Sequence, residues 1–276
     1  MKKLIFALAT AISVFSLAAC GAGDSDSSSG EETTALPEDR LVIGVTAGPH
    51  EIILNKVVEL AAEEGLEIVP EVFSDYVMPN VALAEGDLDM NIYQHKPFLD
   101  QMNEDRGYNI VPVAQAVNFP MGIYSEYYSD VSELQEGDKV GMPNDPSNGA
   151  RALLLFEEAG LIKLDPEAKE KATVKDIIEN PKNLEFIELE ASQIPRQLPE
   201  LSASALNTNY AIEHGINPKE DSIFLEPSDS IWTNLICVRE ENKDDPVVQK
   251  FVEIYRSDEV KKFIEEEFQG SVLASW

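Results

Sequence analysis

The segment Gly141-Met142-Pro143-Asn144-Asp145-Pro146-Ser147-Asn148-Gly149-Ala150-Arg151 leads from a short apolar stretch through a turn into a helical pattern. Ser147 or Asn148 can cap that helix. Its first N–H groups then stay free to face a cleft, where a carboxylate is favoured. Arg151 falls in the first turn, the end of the helix dipole that mildly disfavours a cation. Clamping a ligand carboxylate through two parallel N–H bonds gives it a reason to be there. A surface pair with Glu157 or Glu158 is the plainer alternative. Asn207-Thr208-Asn209-Tyr210 opens another helix after a short strand. An asparagine offers both a donor and an acceptor, which suits the amino and carboxylate groups of a zwitterion; simple capping by Asn207 is the alternative. Asn234 lies inside the otherwise apolar stretch Ile231–Val238. A buried amide needs partners, from the protein or from a ligand.

Tyr76, Tyr93, Phe119, Met121 and Trp232 are candidates to line an apolar pocket, with core packing as the bland reading of each. Rings favour contact with a thioether sulfur. His50, His95 and His214 are spread without the clustering that zinc or manganese requires, so no metal or other cofactor is expected. His95 is a cleft candidate. No Gly-x-Ser-x-Gly elbow, phosphate-cradling loop or cysteine nucleophile is present, and nothing selects an acid/base pair among the many carboxylates, so no catalytic residue is assigned.

These residues need strands and helices to hold them. Leu41–Val45 reads as a strand, and Pro49 opens a helix with an apolar stripe at Ile52, Ile53, Val57, Leu60 and Ala61. Leu66–Phe73 reads as a strand, Val77–Ala84 as a helix and Leu88–Tyr93 as a strand. A second unit follows, with strands at Lys139–Met142, Leu184–Leu189 and Ser204–Leu206 and a helix at Ala150–Ala159. A strand at Ile231–Val238 and helices at Pro246–Tyr255 and Asp258–Phe268 close the chain. Such alternation predicts largely parallel sheets covered by helices. Two units of this kind suggest two lobes, with ligand held at the loops Thr46–His50, Asn91–Lys96, Asn144–Arg151, Asn207–Tyr210 and Ser230–Asn234.

The start of the chain addresses its location. Lys2 and Lys3 precede an apolar run, Leu4–Leu17, and then Leu17-Ala18-Ala19-Cys20. This is a signal peptide with a lipobox: residues 1–19 are the leader and Cys20 is the lipidated new N-terminus. The polar segment that follows, to residue 39, reads as a tether. A lipid on a solvated tether places a globular domain at a membrane surface, not inside it. The only other cysteine, Cys237, has no partner for a disulfide and reads as packing. A formal charge of -30 argues against nucleic acid.

Several segments together resemble the methionine-binding lipoprotein (MetQ/NlpA) family: Phe73-Ser74-Asp75-Tyr76-Val77-Met78-Pro79-Asn80, Gly86-Asp87-Leu88-Asp89-Met90-Asn91-Ile92-Tyr93-Gln94-His95-Lys96-Pro97, Ile194-Pro195-Arg196-Gln197-Leu198, Asn207-Thr208-Asn209-Tyr210-Ala211 and Asn234-Leu235-Ile236. The similarity runs collinearly from Arg40 to Trp276. It implies a two-lobed periplasmic-binding-protein fold of type II, each lobe a mixed, mostly parallel sheet flanked by helices, with the ligand cleft between lobes. The crossings between lobes are expected near Tyr124 and Glu226, so that 40–124 with 227–276 form one lobe and 125–226 the other. The resemblance further implies a monomeric, lipid-anchored protein on the extracytoplasmic face of the cell membrane, serving an ABC permease and its cytoplasmic ATPase. It implies that Arg151, Asn207 and Asn234 meet the carboxylate and amino group of methionine, that Tyr76, Tyr93 and the ring of Trp232 meet its side chain, and that Asn148 and His95 share the site. Ile92-Tyr93, Ile231-Trp232 and Ser147-Asn148-Gly149-Ala150 depart from the family pattern, which leaves open another small amino acid or a short methionine peptide. An enzyme on the same architecture and a surface interaction protein are the rival classes.

Overall fold

The computed structural model describes residues 35–227 and 231–276; the expected leader, Cys20 and most of the tether lie outside the described residues, as does Ser230. The chain runs β1 (Arg40–Thr46), α1 (Pro49–Glu63), β2 (Glu67–Phe73), α2 (Met78–Glu85), β3 (Met90–His95), α3 (Lys96–Arg106), β4 (Ile110–Gln115) and β5 (Val117–Asn118). It continues with β6 (Gly122–Tyr124), β7 (Lys139–Pro143), α4 (Pro146–Glu158), β8 (Lys163–Leu164), β9 (Ile177–Glu179), β10 (Glu185–Leu189), α5 (Ile194–Gln197), β11 (Ala203–Leu206), α6 (Thr208–Glu213), α7 (Pro218–Asp221) and β12 (Ser222–Leu225). It ends with β13 (Asn234–Arg239), α8 (Pro246–Tyr255), α9 (Asp258–Phe268) and β14 (Leu273–Ala274).

Two five-stranded sheets carry the two lobes, in the orders β2-β1-β3-β13-β4 and β10-β7-β11-β6-β12. In each, three neighbouring strands are parallel and the fourth runs against them. That fourth strand is the one the chain enters on arriving from the other lobe. Asn234 at the start of β13 lies opposite His95 at the end of β3, and Gly122 at the start of β6 lies opposite Leu206 at the end of β11. Parallel strands finish, and antiparallel strands begin, on the same edge of each sheet. This brings both crossings and the ligand-facing loops to one place.

Alternation along β13 shows why its sequence is apolar throughout. Ile236 and Val238 join the core under α1, α8 and α9, whereas Leu235 and Cys237 join a separate core under α2 and α3. A strand covered on both faces has no solvent side to leave polar. Cys237 is fully buried, which accords with a packing role. The helices present matching stripes: Ile53, Leu54, Val57 and Ala61 from α1, and Val260, Ile264 and Phe268 from α9. In the second lobe Ala152, Leu153, Leu155 and Phe156 of α4 pack on Val140 and Met142 of β7.

Four expectations shift. The helix expected from Ala150 begins at Pro146, because Asp145 is the cap, its side chain accepting from the Asn148 N–H; neither Ser147 nor Asn148 caps it. Arg151 therefore sits in the second turn. The segment Asn91–Lys96, expected as a loop, is strand up to His95 and then turns into α3, with Pro97 in its first turn. Because β3 stops there, Ile231–Thr233 have no strand to pair with, and β13 starts at Asn234 instead of Ile231. Tyr124, expected at a crossing, lies within the second sheet, paired with Ser204 and Ser222. The chain passes between sheets earlier, at Phe119–Met121, and returns between Leu225 and Asn234.

Gly48 caps α1 at φ 84° and ψ -133°, a region that side chains other than glycine's avoid. A Cβ there would lie 3.3 Å from both the Asn209 carbonyl oxygen and Glu213 Cβ of the other lobe. Gly48→Ala is expected to cost about 1–3 kcal/mol of stability through backbone strain alone. Urea unfolding monitored by circular dichroism measures this, and an unchanged midpoint and slope would contradict it.

Candidate functional site

The converging strand and helix ends line a cavity of about 340 Å³, counting the solvent-open space at its mouth. Tyr76, Tyr93, Gln94, His95, Phe98, Phe119 and Asn234 face it from the first lobe and the first crossing. Asn148 and Arg151 of α4 and Asn207, Thr208 and Asn209 at the start of α6 face it from the second.

One wall is a polar network whose hydrogen-bond directions fix one another. His50 Nδ1 lies 2.8 Å from Thr46 Oγ1, and its Nε2 lies 2.8 Å from Asn234 Oδ1. The amide oxygen can only accept, so Nε2 carries the proton, and in the neutral ring that burial favours Nδ1 accepts from the hydroxyl. This leaves Asn234 Nδ2 without a protein partner among the described residues, on the cavity side. His95 follows the same logic: Nδ1 accepts from the Phe98 N–H at 3.2 Å, and Nε2 donates to Asn148 Oδ1 at 3.1 Å. Asn148 Oδ1 also accepts from Asn207 Nδ2 at 2.8 Å, while Asn148 Nδ2 reaches both oxygens of Asp145. Asn207 Oδ1 is then buried without a partner among the described residues, so Asn207 marks the start of α6 without spending its side chain on a cap. Asn209 accepts at Oδ1 from the Tyr76 hydroxyl at 2.6 Å, and its buried Nδ2 has no partner among the described residues. The wall therefore offers amide donors from Asn234 and Asn209 and an amide acceptor from Asn207.

Arg151 supplies the charge. Its Nε donates to Glu226 Oε1 at 3.1 Å, and its Nη2 donates to Glu226 Oε2 at 2.5 Å and to the Phe119 carbonyl at 2.8 Å. Both side chains are buried, at 3% and 8% exposure. The partner is thus Glu226, not Glu157 or Glu158. Among the described residues Nη1 has no hydrogen bond, which leaves that arm of the fork for a ligand. The Trp232 ring lies 5.4 Å from the guanidinium carbon and 5.0 Å from the His95 ring.

The opposite wall is aromatic. Tyr76, Tyr93 and Phe98 meet pairwise with centroids 5.9–6.1 Å apart, and Tyr76 also lies 4.9 Å from Tyr210. The Tyr93 hydroxyl donates to the Tyr76 carbonyl, which turns its polar end away and leaves ring faces for an apolar chain.

Of the expected residues, Arg151, Asn207, Asn234, Asn148, His95, Tyr76 and Tyr93 are together on the cavity wall, and Phe119 joins them. Trp232 is not part of that wall but braces Arg151 and His95. Met121 is buried in the core of the second lobe. Phe98 and Glu226 were not singled out for the wall or for Arg151. Pro97 after His95 was the sequence cue for a helix that carries Phe98; Glu226 had no local cue, since its partner lies 75 residues away.

Burial pushes His50 down to about 4, against a smaller upward pull from its bond to Asn234. Burial, and then the nearby charge of Arg151, push His95 down to about 3. Both stay neutral when folded. As pH falls through 6.5 the unfolded chain takes up protons that the folded chain refuses, so stability present above 6.5 is lost toward pH 4 and 3. About 2 kcal/mol per histidine is expected to go between pH 6.5 and 5. Urea midpoints at pH 7, 6 and 5 measure the slope, and His50→Gln should make it shallower; an equal slope in wild type and variant would refute the assignment.

The chain matches the NlpA lipoprotein family over residues 41–276. It is 40% identical over 277 aligned positions to the D-methionine-binding lipoprotein MetQ of Salmonella typhi, covering 99% of this chain and 98% of that one. The corresponding protein of Escherichia coli K12 is 39% identical with the same coverage. Among solved structures, a nutrient-binding protein from Burkholderia cenocepacia bound to methionine superposes with a TM-score of 0.84 at 45% identity, over 86% of this chain and 100% of that one. With this coverage and a two-lobed architecture in common, the chain belongs to the NlpA lipoprotein family.

Proposed function

We propose that this protein is the solute-binding lipoprotein of an ABC importer and that its ligand is methionine. The observation that carries this reading is the division of one cavity into two chemistries. Arg151 Nη1 and the amide donors of Asn234 and Asn209 suit a carboxylate, and Asn207 Oδ1 suits an ammonium. The rings of Tyr76, Tyr93 and Phe98 suit a flexible thioether chain. The names of the Salmonella and Burkholderia proteins support methionine in particular.

Bonds between the lobes supply the switch. Tyr76 reaches Asn209, His95 reaches Asn148, and the Tyr210 hydroxyl reaches the Ser74 carbonyl at 3.3 Å. A ligand that touches both lobes stabilises this closed arrangement, and hinge motion at the two crossings opens it. The closed face is what the permease receives, with the ATPase driving release on the other side of the membrane. The ligand leaves chemically unchanged. Lipid on Cys20 and the tether hold the protein at the extracytoplasmic face.

Ligand released by denaturation and identified by mass spectrometry, then titrated back by calorimetry, tests this reading. Methionine is the expected compound; another amino acid or a methionine peptide would redirect the specificity, and a ligand returned chemically altered would favour an enzyme. Arg151→Lys keeps a charge beside Glu226 but loses the fork, and methionine affinity should fall about 10- to 100-fold. Asn234→Ala should weaken binding about tenfold or more through loss of one donor to a charged group. Wild-type affinity in both variants would sink the placement of the ligand.

A further inference from the structure

We propose that Glu226 makes the Arg151 subsite electrically neutral, so that the cavity selects an α-amino acid over a carboxylic acid with the same side chain. This rests on the methionine reading and names a positioning residue within it. Glu226 stands where the chain leaves the second sheet. Its N–H donates to the Met121 carbonyl at 2.8 Å, and its Oε2 accepts from the Met121 N–H at 3.1 Å. The backbone of the first crossing therefore fixes the carboxylate before any ligand arrives. From there it takes the Nε edge and one arm of Arg151, and the Phe119 carbonyl takes a second bond from that same arm. Only Nη1 remains, so Glu226 decides which face of the guanidinium the ligand meets.

The charge balance follows from the same geometry. Arg151 and Glu226 are both buried, and their charges cancel. His95 is committed as a neutral ring because its Nδ1 accepts from the Phe98 N–H, and burial keeps His50 neutral. Asp145, behind Asn148, can add only negative charge. Among the described residues, no net positive charge faces the cavity. A bare carboxylate bound at Nη1 would leave the site one charge out of balance in a low-dielectric interior, which is costly. An amino acid brings its own cation, and Asn207 Oδ1 is a buried acceptor with no protein partner among the described residues.

Calorimetry on the full-length chain in detergent tests this with L-methionine, 4-(methylthio)butanoate, which lacks the amine, and 3-(methylthio)propylamine, which lacks the carboxylate. Wild type should prefer methionine to the butanoate by about 100-fold or more. E226Q leaves the charge of Arg151 unbalanced, and should shrink that preference at least about tenfold by gaining affinity for the butanoate, while E226D restores it. R151Q leaves the opposite charge and should gain affinity for the propylamine, which keeps the test open if E226Q fails to fold. An unchanged methionine-to-butanoate ratio in folded E226Q, or no gain for the amine in R151Q, overturns the role of Glu226 alone. Wild-type protein that binds none of the three compounds overturns the methionine reading and this inference with it.

Discussion

The buried ion pair between Arg151 and Glu226 is the point on which the other parts of this molecule converge. The arginine comes from α4, in the second turn of a helix that Asp145 caps. The glutamate comes from the return crossing, and the Phe119 carbonyl and Met121 N–H that complete the node come from the outward one. Desolvating two charges costs several kcal/mol each, and an ion pair repays that only with good geometry and further hydrogen bonds. Here each partner has both. The node is thus an expensive way to hold a fold together but an effective way to hold one guanidinium in one orientation at the junction of two lobes.

The cavity wall extends this economy of directions. Asn207, Asn209 and Asn234 each spend one end on the protein and present the other to the ligand, while His50, His95 and Asn148 spend both ends on the protein and so fix those directions. Asn234 Oδ1 and His50 Nε2 fix each other, and the Thr46 hydroxyl meets the other ring nitrogen. The Phe98 N–H orients His95, which with Asp145 orients Asn148, and Asn148 orients Asn207. Among these links only Asp145, behind Asn148, can bring a charge of its own. The one charge that reaches the cavity can then act in a wall that is otherwise polar but neutral.

Much of this was legible in the sequence, for reasons that differ by residue. Periodicity and Pro/Gly punctuation found the strands and helices because each buries a stripe or a face; α8 and α9 stand where Pro246 and Asp258 placed them. Asn234 was legible because an amide in an apolar strand has to be accounted for. Trp232 was placed in a strand because Ile231-Trp232 continues an apolar run, but strand requires a partner, and β3 had already turned into α3. Asp145 lost the cap to its neighbours because cap preference does not distinguish adjacent Asp, Ser and Asn residues. Glu226 was legible only as a place in the chain. Nothing local says that a glutamate will meet an arginine 75 residues earlier, because the meeting is made by the crossings themselves.

Gly48 gives the lobes a bearing surface. A bare Cα on one side faces the Asn209 carbonyl oxygen and the Glu213 Cβ on the other. At this point the lobes meet through a carbonyl oxygen and one side-chain carbon, with no side chain on the Gly48 side. Any side chain at position 48 would have to push on both of these atoms, so the closeness of the two surfaces here depends on that position remaining glycine.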